Sequence, residues 1–157
     1  MNIAQIEANL NKMMASFSQK TFIFDLFTSY GLPKASITRI QKGNLNLSKV
    51  KGEICWKKKV FFKEEFNNDL YTTILLINEN LKHDERFIIV TDYKTFLAID
   101  TKTADKLDIP IKDLPKHYDF FLPWGGMEKV NHHNENPADV KAAEKMARLF
   151  DEIKKDN

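Results

Sequence analysis

Glu53 and the triplet Lys63-Glu64-Glu65 have side chains suited to holding a metal ion and to stabilising charge on a phosphate. They flank residues 53–56 and 59–64, two stretches rich in β-branched and aromatic residues that predict two strands, or one long bent strand. Metal-dependent DNA cleavage can use an acid at the end of one strand, then an acid and a lysine two positions apart on the next. Residues two apart on a strand share a face, so two carboxylates can hold Mg²⁺ beside an ammonium group.

The order of the charges departs from that arrangement. Glu53 stands where the first acid belongs, but Lys63 and Glu65 give lysine-x-acid in place of acid-x-lysine. We therefore interpret Glu53, Lys63 and Glu65 as catalytic positions of a degenerate nuclease site. The alternative is an active Mg²⁺-dependent endonuclease, with Glu53 and either Glu64 or Glu65 as metal ligands and Lys63 or Lys59 as its lysine.

A basic cluster lies between these positions. Lys57, Lys58 and Lys59 are consecutive, and three more lysines and three aromatic residues are close by in the sequence: Lys49, Lys51, Lys63, Trp56, Phe61 and Phe62. Such a cluster can follow a DNA backbone electrostatically. The alternative is an exposed strand edge that its lysines protect from pairing.

Composition sets broad limits on the function. The chain has 157 residues, 43% of them hydrophobic, which suits one domain with a substantial core. Its 24 basic and 22 acidic residues give a net charge of only +2, so the whole-chain balance indicates no partner. No apolar run approaches the roughly 20 residues of a membrane span, no secretory signal is present, and the single cysteine, Cys55, cannot form an internal disulfide. We expect a cytoplasmic protein with no membrane partner.

The periodicity predicts an α/β domain. Apolar residues recur at helical spacing in residues 3–17, 21–30 and 33–42, and again in residues 69–81. Strand patterns between and after them predict a mixed sheet of four or five strands, and residues 137–157 predict a C-terminal helix. We predict a domain over residues 1–122, a linker over 123–136 and the start of a truncated helical spacer over 137–157. The chain is expected to be the N-terminal part of a longer protein.

Residues 31–43 support a different hypothesis, because they resemble the turn and second helix of a repressor-like helix-turn-helix. In that case Lys34 and Arg39, with Ser36 and Thr38, would face the major groove of DNA. That motif usually belongs to an all-helical domain, whereas the residues after Gly52 predict a mixed sheet. Ile37 and Ile40 are equally well explained as core contacts of an ordinary helix.

Four blocks of sequence, in order, resemble one known family: residues 24–35 (FDLFTSYGLPKA), 51–59 (KGEICWKKK), 86–96 (RFIIVTDYKTF) and 136–140 (NPADV). The chain resembles the N-terminal region of the large single-chain type IIG/IIL, or MmeI-like, restriction-modification DNA adenine methyltransferases. The resemblance covers nearly the whole chain. It implies a PD-(D/E)xK nuclease-like α/β fold, with a mixed sheet, N-terminal helices and a C-terminal helix.

The resemblance also implies a function for the parent protein. Matched by block, the first catalytic acid falls on Glu53, the second on Lys63 and the catalytic lysine on Glu65, so a family member with degenerate nuclease chemistry is the preferred hypothesis. Double-stranded DNA is the implied partner, bound by Lys57, Lys58 and Lys59. The methyltransferase and target-recognition domains would follow in the same chain. S-adenosylmethionine would be a cofactor of the parent only, because the motifs that bind it are absent from these 157 residues. Mg²⁺ would be needed only by an active nuclease.

Overall fold

The computed structural model describes residues 2–127. Ten elements follow one another along this part of the chain: α1 (Ile3–Ala15), α2 (Phe22–Ser29), α3 (Lys34–Gln41), β1 (Glu53–Trp56), β2 (Val60–Glu64), α4 (Leu70–Glu79), β3 (Phe87–Thr91), β4 (Thr95–Asp100), β5 (Lys106–Pro110) and a 3₁₀ segment (Ile111–Gly125). The architecture is mixed α/β and compatible with a nuclease-like fold. The predicted fold class is thus confirmed, and the predicted C-terminal helix lies outside the described residues.

The three N-terminal helices form because each has an apolar stripe and a defined start or stop. Helix α1 begins at a reciprocal cap, in which the Asn2 and Gln5 side chains each accept a hydrogen bond from the other residue's backbone N–H. Helix α2 buries the four apolar residues predicted for it: Phe22, Ile23, Leu26 and Phe27. Pro33 directly precedes α3 and fixes its entry. Together the helices cover one face of the sheet.

The five strands lie in the sheet in their chain order. Strands β1 and β2 form an antiparallel hairpin, and β3, β4 and β5 form an antiparallel meander. Strands β2 and β3 are parallel, and α4 connects them, as a parallel connection requires. The carboxyl ends of β2 and β3 consequently meet at one edge of the sheet.

Each face of the sheet has its own core. Alternate strand residues, Phe62, Phe87 and Phe96 among them, point toward α1, α2, α3 and the 3₁₀ segment, where they form the larger core. The other face places Ile88, Val90 and their neighbours against α4. Helix α4 packs mainly on β3 and β4, so the α4-side face of β1 and β2 carries polar residues as well as apolar ones.

The 3₁₀ segment runs from Ile111 to Gly125, with breaks in helical geometry at His117 and Phe121. The aromatic side chains keep it on the core: the rings of Phe121 and Trp124 stack at 4.5 Å, and Trp124 is 5% exposed. The domain boundary after residue 122 stays a prediction, and most of the predicted linker and spacer lies outside the described residues.

Candidate functional site

The β1–β2 hairpin brings the candidate catalytic positions together. Glu53 and Lys63 are directly opposite each other in the antiparallel register. Gly52 precedes Glu53 with φ at +85°, a left-handed conformation open to glycine, and its carbonyl accepts a hydrogen bond from the N–H of Glu64. Since side chains alternate along a strand, Glu53, Lys63 and Glu65 point to the α4-side face. This is the face that residues two apart on a strand would share.

Glu53 has partners on both of its carboxylate oxygens. Lys63 Nζ lies 3.2 Å from Glu53 Oε2, with side-chain exposures of 24% for the lysine and 17% for the glutamate. The Ser48 hydroxyl donates a hydrogen bond of 2.9 Å to Glu53 Oε1. The lysine at the second acid position therefore forms an ion pair with the first acid.

Glu65 is a buried carboxylate held by the turn that follows it. Its Oε2 accepts hydrogen bonds from the backbone N–H groups of Asn67 and Asn68, at 3.2 and 3.3 Å, and its Oε1 accepts one from the Asn68 side chain. Burial acts to raise the pKa of Glu65, but these hydrogen bonds, together with the charge of Lys63, leave its pKa below the usual value. Glu65 is thus an ionised structural acceptor that organises the turn before α4.

Glu64 belongs to the opposite face of the sheet. The hydroxyl of Tyr93 donates a hydrogen bond to its carboxylate, and burial, with the charge of Glu64, raises the pKa of Tyr93. Tyr93 is part of the larger core, on the side of the N-terminal helices. Glu64 therefore does not join Glu53 and Glu65 as a ligand, contrary to one version of the active-nuclease hypothesis.

The geometry suits an ion pair better than a metal ion. Within residues 2–127, no group of three or more acidic, histidine or cysteine side chains is arranged to hold a metal. Mg²⁺ requires oxygen ligands in near-octahedral geometry, and the oxygens of Glu53 and Glu65 already accept hydrogen bonds. On the same face Cys55 is buried, and burial, with the charges of Glu85 and Glu53, raises its pKa to about 11. Its thiol is protonated at neutral pH and fills space in the sheet.

The basic cluster of the sequence is divided in the structure. Lys57, Lys58 and Lys59 form the turn between β1 and β2, at the opposite end of the hairpin from Glu53 and Lys63. Lys57 and Lys58 are exposed, and Lys59 is half-buried. The aromatic residues Trp56 and Phe62 are buried in the larger core, so they offer no face to a nucleic acid.

The helix-turn-helix candidates lie on α3. Lys34 and Arg39 are exposed, while Ile37 and Ile40 are buried in the larger core. Helix α3 is therefore joined to the sheet domain through its apolar side. Its role in DNA binding stays a prediction.

A family relationship adds to this geometry. A family described as "MmeI, N-terminal domain" matches residues 1–156. The chain belongs to the MmeI N-terminal domain family. The resemblance found in the sequence is thereby confirmed.

A curated relative gives the family context. The chain is 40% identical over 160 residues to DNA methyltransferase A of Bacillus subtilis (strain 168). The alignment covers 100% of this chain and 18% of that protein, so the chain spans less than a fifth of the relative's length. No solved structure matches the chain. Between residues 2 and 127, no helix has the length and hydropathy required to cross a bilayer.

Sequence reasoning missed the residues that complete the hydrogen bonding of this MmeI N-terminal domain. The Ser48 hydroxyl donates a hydrogen bond to Glu53, and the Asn68 side chain donates one to Glu65. A signal for Asn68 was present, because a carboxylate two and three positions before backbone N–H groups commonly caps a turn. Ser48 had no such signal, since its contact depends on how the loop of residues 42–52 folds back.

Proposed function

We propose that this MmeI N-terminal domain is a nuclease-like DNA-binding domain without metal-dependent cleavage, which positions double-stranded DNA for a methyltransferase in the same parent chain. The observation that carries the proposal is the ion pair between Lys63 and Glu53, at 3.2 Å. It brings a cation to the first acid of the degenerate site from within the protein itself.

Binding of Mg²⁺ at this place would be unfavourable. The metal would have to displace the ammonium of Lys63 from Glu53 and lose part of its own hydration shell, which Mg²⁺ gives up reluctantly. Its second ligand would be Glu65, which would have to leave the backbone N–H groups of Asn67 and Asn68. The hydrogen bonds that order the exposed turn of Asn67 and Asn68 would then be lost.

The turn lysines support the DNA-binding part of the proposal. Lys57, Lys58 and Lys59 project from the tip of the hairpin, and none of them forms an ion pair with another residue in the described part of the chain. Three adjacent cations on a protruding turn can contact successive phosphates and release the counterions condensed on DNA.

The relative supports a proposal about the activity of the parent protein. That relative is named as a DNA methyltransferase, and this chain corresponds to 18% of its length. We infer an adenine-specific, S-adenosylmethionine-dependent DNA methyltransferase of restriction-modification type as the parent, with methyltransferase and target-recognition domains beyond this one. Such a protein would act on DNA in the cytoplasm.

The binding part is tested by replacing the three turn lysines with alanine. The Lys57→Ala/Lys58→Ala/Lys59→Ala chain should bind duplex DNA more weakly, and the slope of log K against log salt should decrease by about 2 to 3 in magnitude if each lysine neutralises one phosphate. The matched control removes three other exposed cations, in the variant Lys20→Ala/Lys42→Ala/Lys112→Ala. Equal salt dependence for the two triple variants would contradict the proposal.

The absence of cleavage is tested separately. The whole chain is incubated with supercoiled plasmid in Mg²⁺ and in Mn²⁺, and the expected result is intact plasmid in both. Cleavage that disappears in the Glu53→Gln variant would instead establish the active-nuclease hypothesis.

A further inference from the structure

A basic cleft lies at the hairpin-turn end of the sheet, away from the degenerate nuclease site. Its volume is about 350 Å³, and three separate turns and the 3₁₀ segment contribute to its wall. Lys58 and Lys59 come from the β1–β2 turn, Arg86 from the loop before β3, and Lys102 from the turn after β4.

Backbone hydrogen bonds fix these turns to one another. The N–H of Lys58 donates to the His83 carbonyl at 3.0 Å, and the N–H of Phe87 donates to the Lys59 carbonyl at 3.1 Å. The N–H of Thr101 donates to the Arg86 carbonyl at 2.8 Å. The wall of the cleft is thus built by paired main chain, which fixes the backbone positions from which the basic side chains extend.

The charge of the cleft is strongly positive. Four basic side chains line it, and Asp84 is the acidic residue in its lining. Arg86 is engaged by Asp100, through a bond of 2.7 Å from Nε to Oδ1. Lys58, Lys59 and Lys102 form no ion pair with any residue between 2 and 127. Three lysines without an ion pair therefore line one concave space, beside the single carboxylate of Asp84.

A buried donor also belongs to this cleft. Trp124 lines it, and the indole Nε1 of Trp124 is buried and lacks a hydrogen-bond partner among the described residues. An unsatisfied buried N–H is costly, and native proteins rarely leave one without a ligand, water or ion. An anionic oxygen that reached Nε1 from the cleft would accept this hydrogen bond.

We propose that this cleft binds a phosphate group, and that the backbone of double-stranded DNA supplies that phosphate. Only the source of the phosphate rests on the proposed function; the affinity for phosphate rests on the cleft alone. Lysine ammonium groups and an indole N–H are donors with no acceptor capacity, so together they select an anion rich in acceptor oxygens.

The indole N–H groups give a direct test in the whole chain. The sequence contains two tryptophans, Trp56 and Trp124, so a ¹⁵N-labelled sample gives two indole signals, and a Trp124→Phe variant assigns them. Inorganic phosphate is titrated at constant ionic strength against a chloride control. The expected result is a saturable shift of the Trp124 signal with the Trp56 signal unchanged. No shift of the Trp124 signal would overturn the proposal.

Paired charge variants localise the effect. Lys59→Gln/Lys102→Gln should weaken phosphate binding roughly tenfold or more, because it removes two charged donors from the cleft. The matched control Lys42→Gln/Lys112→Gln removes two exposed lysines that are outside its lining and should change phosphate affinity little. Equal losses in the two variants would overturn the assignment to the cleft.

A short DNA duplex then distinguishes the source of the phosphate. If the duplex shifts the Trp124 signal and phosphate competes with it, the DNA backbone is the ligand. A shift with phosphate and none with the duplex would overturn the DNA source and leave a site for a free anion. If the turn-lysine triple variant loses DNA affinity while neither ligand moves the Trp124 signal, the proposed function stands and the cleft proposal fails.

Discussion

Replacement of Lys63 by glutamate would put an acid where the ion pair now holds a base. Because Glu53 and position 63 are opposite each other in the hairpin, their Cβ atoms lie within about 4.5–5.5 Å. Loss of the partly exposed ion pair costs about 1 kcal/mol. Two carboxylates about 5 Å apart at an effective dielectric constant of about 20 repel by roughly 3 kcal/mol, and their partial exposure reduces this by about half. Lys63→Glu should therefore lower the free energy of unfolding by about 2–3 kcal/mol.

The matched variant Lys63→Gln removes the ion pair without adding the repulsion, and it should cost only about 1 kcal/mol. The measurement is thermal unfolding of the wild type and both variants in the presence of a chelator, and then in Mn²⁺. In Lys63→Glu the new pair of carboxylates can bind the cation, which at a hundred times its dissociation constant restores about 2.7 kcal/mol. For a chain of this size that corresponds to an increase in Tm of roughly 5–10 °C.

Wild type and Lys63→Gln should show no response to Mn²⁺. Comparable stabilisation of the wild type would mean that the protein already binds the metal at these positions. Equal unfolding free energies for Lys63→Glu and Lys63→Gln in chelator would mean that positions 53 and 63 do not face each other. Either result would refute the reasoning that an intramolecular cation replaces the metal ion.

Three further predictions concern stability. Glu65→Gln should lower the free energy of unfolding by about 1–2 kcal/mol at pH 7. The pKa of Glu65 in the folded state is below the usual 4.5, so the difference in stability from wild type should reach its full size above pH 4.5. It should disappear as the pH falls through the folded-state pKa. Urea unfolding at several pH values checks this, with the exposed Glu79→Gln as control, and a pH-independent difference would contradict it. Arg86→Met should lower the free energy of unfolding, measured in urea, by about 3 kcal/mol, because it removes the ion-pair partner of the fully buried Asp100. A loss as small as that of a surface ion pair would show that Asp100 does not depend on Arg86. Phe121→Ala should cost about 3–5 kcal/mol, because the fully buried ring contacts the aromatic rings of Phe87 and Trp124; a loss below about 1 kcal/mol by calorimetry would place Phe121 outside the core.

The hairpin and its charges were predictable from sequence because local rules determine them. Strand propensity in residues 53–56 and a short lysine turn fix the register, and the register places Glu53 opposite Lys63. Alternation along the strand then puts Lys63 and Glu65 on one face. The bounds of β1 agree with the sequence-based prediction for the same reason.

Contacts between distant segments were not predictable in this way. The 3₁₀ segment keeps to the core through edge-to-face contacts of Trp124 with rings from α2 and β3, and no local pattern in residues 119–125 encodes that packing. The pairing of Arg86 with Asp100 depends on the register between β3 and β4. Proximity in the sequence was also misleading for the lysines, because a hairpin carries residues only a few positions apart to opposite ends of the sheet.

The length of the hairpin makes its two ends separable. Lys57 is four positions after Glu53 along the strand, which corresponds to roughly 13 Å. A substitution at the carboxylate end leaves the turn and its contacts in place, since no side chain is shared between the two ends. Under the proposed function, cleavage and DNA binding can therefore change independently, and a single exchange of acid for base at position 63 would be enough to begin that divergence.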